Sequence, residues 1–126
     1  MSTVVDASAL LAFLHKEPGA EKVEAALDGA RVSAVNWAEV VQKALRQSVD
    51  TVGMQAAFIE VGVQFEAFTP TQAETAARLW EPGKALGLSL ADRACIALAS
   101  ELSLPILTGD RAWTRLDIDV EIVLFR

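Results

Sequence analysis

Two aspartates stand just after short apolar stretches of this 126-residue sequence, and both could do chemistry. Asp6 follows "TVV", and Asp110 follows "LPILTG". Short apolar runs of this kind, bounded by turn residues, predict buried strands. In an open parallel sheet, functional groups collect at the carboxyl ends of the strands. If the two strands were neighbours, the two carboxylates would meet there, where they could bind a divalent cation through oxygen.

Two further carboxylates lie on predicted helices, and each also has a purely structural explanation. Glu39 lies opposite an apolar stripe, where a solvated i, i+4 pair with Lys43 would account for it. Asp92 forms a capping-box pattern with Ser89, yet it lies at the edge of a broad apolar face, where a buried charge needs a partner. The two strand-end aspartates could likewise cap the helical segments that follow them. No one of these acids therefore establishes a site.

Taken together, the acids suit an oxygen-only site for a hard cation. The candidate set comprises Asp6, Glu39, Asp92 and Asp110. Neither the sole histidine, His15, nor the sole cysteine, Cys95, belongs to this set. Oxygen ligands without imidazole or thiolate favour Mg²⁺ or Mn²⁺ over zinc. Without a cation such a cluster would repel itself, which would raise some of the carboxyl pKa values.

The order of predicted elements determines where these acids would be placed. Strands are predicted at 3–6, 30–34, 63–68, 104–108 and 120–125. Helices are predicted at 8–16, 20–29, from near Val35, at about 50–61, 69–80 and 89–102, with a helical turn at 111–116. Because strands alternate with helices, the connections are crossovers, and we expect an α/β fold with a parallel sheet covered by helices on both faces. A chain of this length is expected to form one domain, spanning residues 1–126.

The overall charge argues at first against a nucleic-acid partner. The formal net charge is −6, whereas nucleic-acid binders usually carry a basic surface. The four candidate acids, however, account for four of those six charges. Arg93 and Arg111 directly follow two of the acids, and Lys43 and Arg46 share the helical face of Glu39, so these four basic residues are candidate phosphate contacts.

The composition also bears on protein–protein contacts and on the cellular location. The chain is 52% hydrophobic, which is more than one small core hides, so we expect a buried interface with a second copy or a partner chain. The longest apolar run, "ALLAFL", is far shorter than a membrane span. A single cysteine excludes an internal disulfide and is typical of a reducing compartment, so we expect a cytoplasmic location.

Four stretches, in this order and at these distances, resemble the PIN domain and, within it, the VapC-type toxins of bacterial toxin–antitoxin pairs. They are "VVDASALLAFLHKEPG", "VSAVNWAEV", "GLSLADRACIALA" and "LPILTGDRAW". The resemblance covers essentially the whole chain. It implies a three-layer α/β/α sandwich whose central parallel sheet has four or five strands. It also implies a homodimer that is held inactive by a VapB-type antitoxin, whose C-terminal segment lies across the active-site groove.

The activity implied by the resemblance is Mg²⁺- or Mn²⁺-dependent endoribonuclease cleavage. Its four acidic positions correspond to the candidate set defined above. Asp6, Asp92 and Asp110 would hold the metal with Glu39 completing the ring, and Thr108 would orient a carboxylate or a water from behind. Some members have a further acid, for which Asp117 is the nearest candidate here.

Two other function classes compete with this one. The first is a catalytically silent PIN-fold protein that acts only through its partner interface. The second is a phosphotransfer domain of receiver or haloacid-dehalogenase type, which would need a second acid beside Asp6 and a lysine after a late strand. Neither is present, since "VVDAS" has no second acid and Lys84 is the last lysine. The RNA target and the number of metal ions are left open by the sequence.

Overall fold

A parallel five-stranded sheet forms the centre of the protein in a computed structural model that describes residues 2–126. The strands are β1 (Val4–Val5), β2 (Arg31–Ser33), β3 (Gln64–Glu66), β4 (Ile106–Thr108) and β5 (Ile122–Leu124). The helices are α1 (Ala7–Leu14), α2 (Ala20–Ala26), α3 (Ala34–Arg46), α4 (Met54–Glu60), α5 (Pro70–Arg78), α6 (Trp80–Gly83) and α7 (Leu90–Leu102). Short 3₁₀ turns cover Lys84–Leu86 and Arg111–Arg115. The predicted fold class is therefore confirmed, although the paired strands are shorter than the predicted segments.

The strand order places β1 beside β4, as the two strand-end aspartates required. The order across the sheet is β3-β2-β1-β4-β5, and every pairing is parallel. The chain first adds strands on one side of β1 and then crosses to its other side. This reversal between β1 and β4 creates the crevice at the carboxyl edge in which open α/β sheets bind their ligands.

Alternation along the central strands separates two apolar cores. Val5 and Leu107 face a cluster that includes side chains of α1 and α2, whereas Val4 and Ile106 face a cluster built around α7 and Trp113. Successive residues of a strand point to opposite faces of the sheet, so neighbouring residues of β1 and of β4 enter different cores. The result is the predicted three-layer α/β/α sandwich.

Helix α3 lies where it can reach the crevice from the side. It starts directly after β2, where Ser33 caps its N-terminus by accepting a hydrogen bond from the Val35 amide at 3.2 Å. Its length brings it into contact with both α1 and α7. The helix therefore carries Glu39 to a position between the helices that follow β1 and precede β4.

The helices of this fold are all short. The longest, α3 and α7, have 13 residues each, whereas a bilayer-spanning helix needs about 20. Within residues 2–126, no helix has the length and apolar character to cross a membrane.

Candidate active site

All four candidate acids line one cavity at the carboxyl edge of the sheet. The cavity has a volume of about 220 Å³ and is bordered by Asp6, Glu39, Asp92 and Asp110. Its remaining wall is apolar or neutral, and none of its lining residues is basic. The fold thus gathers acids that are far apart in the chain into one pocket of concentrated negative charge.

Asp6 is the most buried of the four, with a relative exposure of 5%. It caps α1, because Oδ1 accepts hydrogen bonds from the Ala9 amide at 3.0 Å and the Ser8 hydroxyl at 2.7 Å. Oδ2 accepts a third bond from the Thr108 hydroxyl at 2.6 Å. Burial raises the pKa of Asp6 to about 6; the three hydrogen bonds oppose that rise, and the charge of Asp92 adds to it. The Asp6 side chain therefore both caps α1 and lines the cavity.

Thr108 and Ser8 fasten the ends of β1 and β4 together. The Thr108 hydroxyl, which donates to Asp6, also accepts a hydrogen bond from the Asp110 amide at 3.1 Å. The Ser8 hydroxyl, which donates to Asp6, accepts one from the Gly109 amide at 3.1 Å. Both hydroxyls donate to the Asp6 carboxylate; the bond from Thr108 to Asp6 and the bond from Gly109 to Ser8 cross between the two loops. Thr108 thus donates directly to the Asp6 carboxylate, and its orienting role stays a prediction.

Asp110 is exposed and sits at the mouth of the cavity. Its Oδ1 accepts a hydrogen bond from the Ala112 amide at 2.9 Å, which caps the 3₁₀ turn at Arg111–Arg115. The hydrogen bonds found within residues 2–126 include none to its other carboxylate oxygen, Oδ2.

Glu39 is half-buried and pairs with an amide instead of a cation. Its Oε1 accepts a hydrogen bond from Asn36 Nδ2 at 3.1 Å. Burial raises the pKa of Glu39; the bond from Asn36 opposes this rise, and the charge of Asp92 reinforces it. The salt bridges found within residues 2–126 do not include one between Glu39 and Lys43, so the solvated ion pair does not account for this acid.

Asp92 serves α7 and faces the cavity at the same time. Its Oδ2 accepts a hydrogen bond from the Ser89 amide at 2.9 Å, and its own amide donates to the Ser89 hydroxyl at 3.1 Å, which completes the predicted capping box. The side chain is only partly exposed, and its charge contributes to raising the pKa of both Asp6 and Glu39. Three of the acids are therefore close enough to interact electrostatically.

The donor set fits a hard divalent cation in chemistry and charge. It consists of the four carboxylates that line the cavity, which supply oxygen ligands and negative charge. Within residues 2–126, however, no three acidic, imidazole or thiol side chains converge closely enough to hold an ion directly. The cavity therefore offers oxygen ligands and negative charge that suit a divalent cation. The acids do not adopt the geometry of direct coordination.

The candidate phosphate contacts divide into two groups. Lys43 and Arg46 line a second cavity of about 220 Å³, which adjoins the acidic one and shares Glu39 with it. Arg93 instead donates to the Ala76 carbonyl at 2.8 Å, and Arg111 donates to the Arg126 carbonyl at 3.0 Å. Neither arginine lines the acidic cavity.

Two residues that line the cavity were not expected there. Asn36 and Trp113 line the cavity although the sequence predicted no site role for either. A signal for Asn36 existed, since it precedes Glu39 by three residues and therefore shares its helical face. Asp117 is exposed and lies outside the cavity lining.

Comparisons with known proteins agree with this architecture. A PIN domain family model matches residues 3–119. Among solved structures, the chain resembles a toxin–antitoxin complex from Klebsiella pneumoniae, with a TM-score of 0.76, 19% identity, and coverage of 99% of this chain and 98% of that one. A DNA-bound VapBC from Salmonella typhimurium gives a TM-score of 0.75 and 12% identity, covering 100% of this chain and 99% of that chain.

A third similar structure is VapC20 of Mycobacterium tuberculosis, a sarcin–ricin loop cleaving toxin. Its TM-score is 0.70 at 19% identity, with coverage of 95% of this chain and 99% of that chain. No curated protein sequence matches the chain. At these identities the solved structures demonstrate a common fold, and the family model extends over nearly the whole sequence. This chain therefore belongs to the PIN domain family.

Proposed function

We propose that this protein is the toxin of a VapBC-type type II toxin–antitoxin pair and that it is a Mg²⁺- or Mn²⁺-dependent endoribonuclease. The observation that carries the proposal is the single cavity lined by four carboxylates and by no basic side chain. Support comes from the solved structures of the same fold, several of which are toxin–antitoxin complexes. We further propose that it acts in the cytoplasm, where its RNA substrate is found.

The proposed mechanism assigns a distinct task to each acid. A bound divalent cation supplies an activated water and neutralises charge on the phosphodiester. Asp6, Asp92 and Asp110 would hold the cation, directly or through water, and Glu39 would complete the ring from α3. Asp6 is suited to the central place because three hydrogen bonds fix its carboxylate before any ligand arrives. Preorganisation of this kind avoids a reorganisation cost during the reaction.

Thr108 would keep the Asp6 carboxylate in its productive orientation. Its hydroxyl donates to Asp6 and is itself fixed by the Asp110 amide. Hydrogen bonds from behind a metal-binding carboxylate set its direction and its charge distribution. The same threonine would thus keep the acids that end β1 and β4 in register.

Removal of divalent cations tests the proposed activity. Purified protein incubated with total RNA should cleave it in Mg²⁺ or Mn²⁺ and stop when EDTA is added in excess, because the carboxylates alone supply no activated water. Sequencing of the RNA ends would measure the activity and identify the target together. Unchanged RNA at every cation concentration, from protein that still binds its antitoxin, would favour the catalytically silent binding protein instead.

The second cavity offers a path for the RNA strand away from the acids. It adjoins the acidic cavity, and Lys43 and Arg46 in its wall are exposed on the last turns of α3. The salt bridges found within residues 2–126 involve neither residue. We propose that these two cations contact phosphates that flank the scissile bond.

Removing these two charges should weaken RNA binding with a characteristic salt dependence. For Lys43→Ala and Arg46→Ala, the slope of log affinity against log salt should fall by about 0.7 for each phosphate of single-stranded RNA that is no longer neutralised. Binding is measured in an inactive Asp92→Asn background so that the RNA stays intact. Lys22→Ala removes an exposed lysine of α2 that lines neither cavity and serves as the matched control. An unchanged slope in both variants would exclude this path.

An apolar groove beside α1 is the proposed docking site of the antitoxin. It has a volume of about 200 Å³ and is lined by Phe13, Leu14, Met54, Ala57, Phe58 and Val61. A neighbouring groove shares Phe13 and Leu14 and is also lined by Lys16, Glu21 and Glu24, so its border is acidic on balance. An apolar groove with an acidic border suits an amphipathic helix that has apolar anchors and basic flanks. We propose that the VapB-type antitoxin supplies this helix and continues from it towards the acidic cavity.

A charge placed in this groove should release the toxin from its antitoxin. Val61 is 49% exposed, so Val61→Glu should fold, but it would bury an unpaired carboxylate under the antitoxin. If Val61 lies at a binding hot spot, this change should cost about 2 kcal/mol, or about thirtyfold in affinity. The measurement is titration calorimetry with the cognate antitoxin. Val52→Glu, at a residue 89% exposed and outside the groove, should bind normally; equal affinities in both variants would relocate the docking site.

The oligomeric state forms the last part of the proposal. Several large apolar side chains outside the groove are exposed, among them Leu45 and Trp80. We propose that a second copy of this chain covers part of this surface to form a homodimer. Sedimentation of the purified toxin at several concentrations measures the association directly.

A further inference from the structure

A buried amide links the two helices that contribute acids to the cavity. Asn36 lies in the first turn of α3 and is 1% exposed. An amide in such a place is unfavourable unless its polar atoms are paired. Its Nδ2 group donates to Glu39 Oε1 and to the Ala91 carbonyl oxygen, both at 3.1 Å. Ala91 is the neighbour of Asp92 in the first turn of α7, so one side chain contacts both acid-bearing segments.

The orientation of this amide is determined by its neighbours. Both atoms that face Nδ2 are hydrogen-bond acceptors, so a flipped amide would place Oδ1 against two oxygens. The nitrogen end is therefore fully used within the protein. Oδ1 is buried and has no hydrogen-bond partner, and Asn36 forms part of the cavity wall. Asn36 therefore acts on the acidic site through its nitrogen end, because its oxygen end is enclosed by the protein.

We propose that Asn36 is a positioning residue for the acidic site, which it serves by tying the Glu39 carboxylate to the start of α7. This inference rests on the proposed metal-dependent function. Glu39 and Asp92 carry like charges on different helices, and the two bonds from one donor group restrain both segments against that repulsion.

A merely structural link between α3 and α7 is the alternative, and the protein contains a matched control for it. Gln72 is also a buried amide, at 3% exposure, whose Nε2 donates to Glu101 Oε2 at 2.8 Å while its Oε1 has no partner. It joins α5 to α7 and does not line the acidic cavity. Asn36→Ala and Gln72→Ala therefore remove equivalent bonds to a carboxylate, one at the site and one away from it.

The experiment compares melting temperature and Mn²⁺ affinity in the full-length chain. Both alanine variants should melt at a lower temperature than the wild type in EDTA. Titration calorimetry with MnCl₂ should show about tenfold weaker binding for Asn36→Ala, as expected for loss of a group that orients metal ligands. Gln72→Ala should bind as the wild type does. Equal affinity in wild type and Asn36→Ala, or an equal loss in both variants, would overturn the inference.

A measurement on the unaltered protein covers the case in which Asn36→Ala does not fold. In a ¹H–¹⁵N spectrum, the side-chain amide signals of Asn36 should shift when MgCl₂ is added, and those of Gln72 should not. A stationary Asn36 signal at saturating Mg²⁺ would overturn the inference while leaving the proposed function intact. Failure of the wild type to bind either cation would instead overturn the proposed function, and this inference with it.

Discussion

Replacing Asp6 with asparagine is expected to lower metal-dependent RNA cleavage by at least about a hundredfold without unfolding the protein. Asparagine has nearly the same shape, and its Oδ1 can still accept hydrogen bonds from the Ser8 hydroxyl and the Ala9 amide. It lacks the negative charge at the centre of the proposed metal site. Cleavage of the target RNA under single-turnover conditions in saturating Mn²⁺ measures the effect.

A matched substitution shows whether the loss is specific to the cavity. Asp117→Asn makes the same chemical change at an exposed acid that does not line the cavity, so it should cleave RNA at the wild-type rate. Asp92→Asn should behave as Asp6→Asn does. Equal cleavage by the wild type and both cavity variants would eliminate the metal-nuclease proposal and leave a PIN-fold binding protein.

The same Asp6→Asn substitution is expected to change the pH dependence of stability in metal-free protein. Burial raises the pKa of Asp6 from 3.8 to about 6, so the folded state binds the proton more tightly than the unfolded state does. A group of this kind contributes stability below pH 4, and that contribution is lost as pH rises through about 6. Asparagine cannot ionise and avoids this loss. The free energy of unfolding of Asp6→Asn, relative to wild type, should therefore increase by about 2 to 3 kcal/mol between pH 4 and pH 8.

Urea denaturation in EDTA at a series of pH values measures this difference. The difference in free energy of unfolding is taken between the two proteins at each pH. Acids that titrate alike in both proteins, Glu39 among them, therefore do not contribute to it. The Thr108 hydroxyl loses its carboxylate acceptor in the variant, which lowers stability at every pH but does not alter the slope. A difference that stays flat from pH 4 to pH 8 would show that Asp6 is not desolvated in the folded protein.

Together, these two predictions describe a site whose central carboxylate lowers the stability of the protein but is needed for the proposed activity. A charge at Asp6 is unfavourable in the free protein because burial and Asp92 both oppose it. A divalent cation would reverse the sign of that interaction. The residue whose charge the proposed activity needs most is thus the one whose charge lowers the stability of the metal-free protein as pH rises through about 6. Such a trade between stability and activity is common where catalytic groups are held together against repulsion.

Much of this protein could be inferred from local sequence. The alternation of apolar strands with helices predicted a parallel sheet, because that order requires crossover connections. The Ser89 and Asp92 capping box was visible in the sequence and is present in the structure, since such a box depends only on a short local spacing. The resemblance to PIN domains, carried by four short stretches, led to the family that the family model identifies over residues 3–119.

Other features depended on contacts between distant parts of the chain. The sequence placed Asp6 and Asp110 at strand ends, but only the order β2-β1-β4 makes them neighbours. Local pattern also favoured a Glu39–Lys43 pair, whereas Glu39 instead accepts its hydrogen bond from Asn36. Arg93 follows Asp92 directly in sequence, yet it extends to the Ala76 carbonyl of α5.

The features found from sequence differ from the others in how far apart in the chain the residues that determine them lie. Helix caps and apolar periodicity depend on residues within a few positions of one another, so a single sequence reveals them. Strand order and the direction of a side chain depend on which distant surfaces pack together. Asn36 illustrates this most clearly, because its bond to the Ala91 carbonyl joins residues 55 positions apart in the chain. The sequence by itself determined which acids could form a site, and the tertiary structure decided that they share one cavity and which neutral side chain joins their helices.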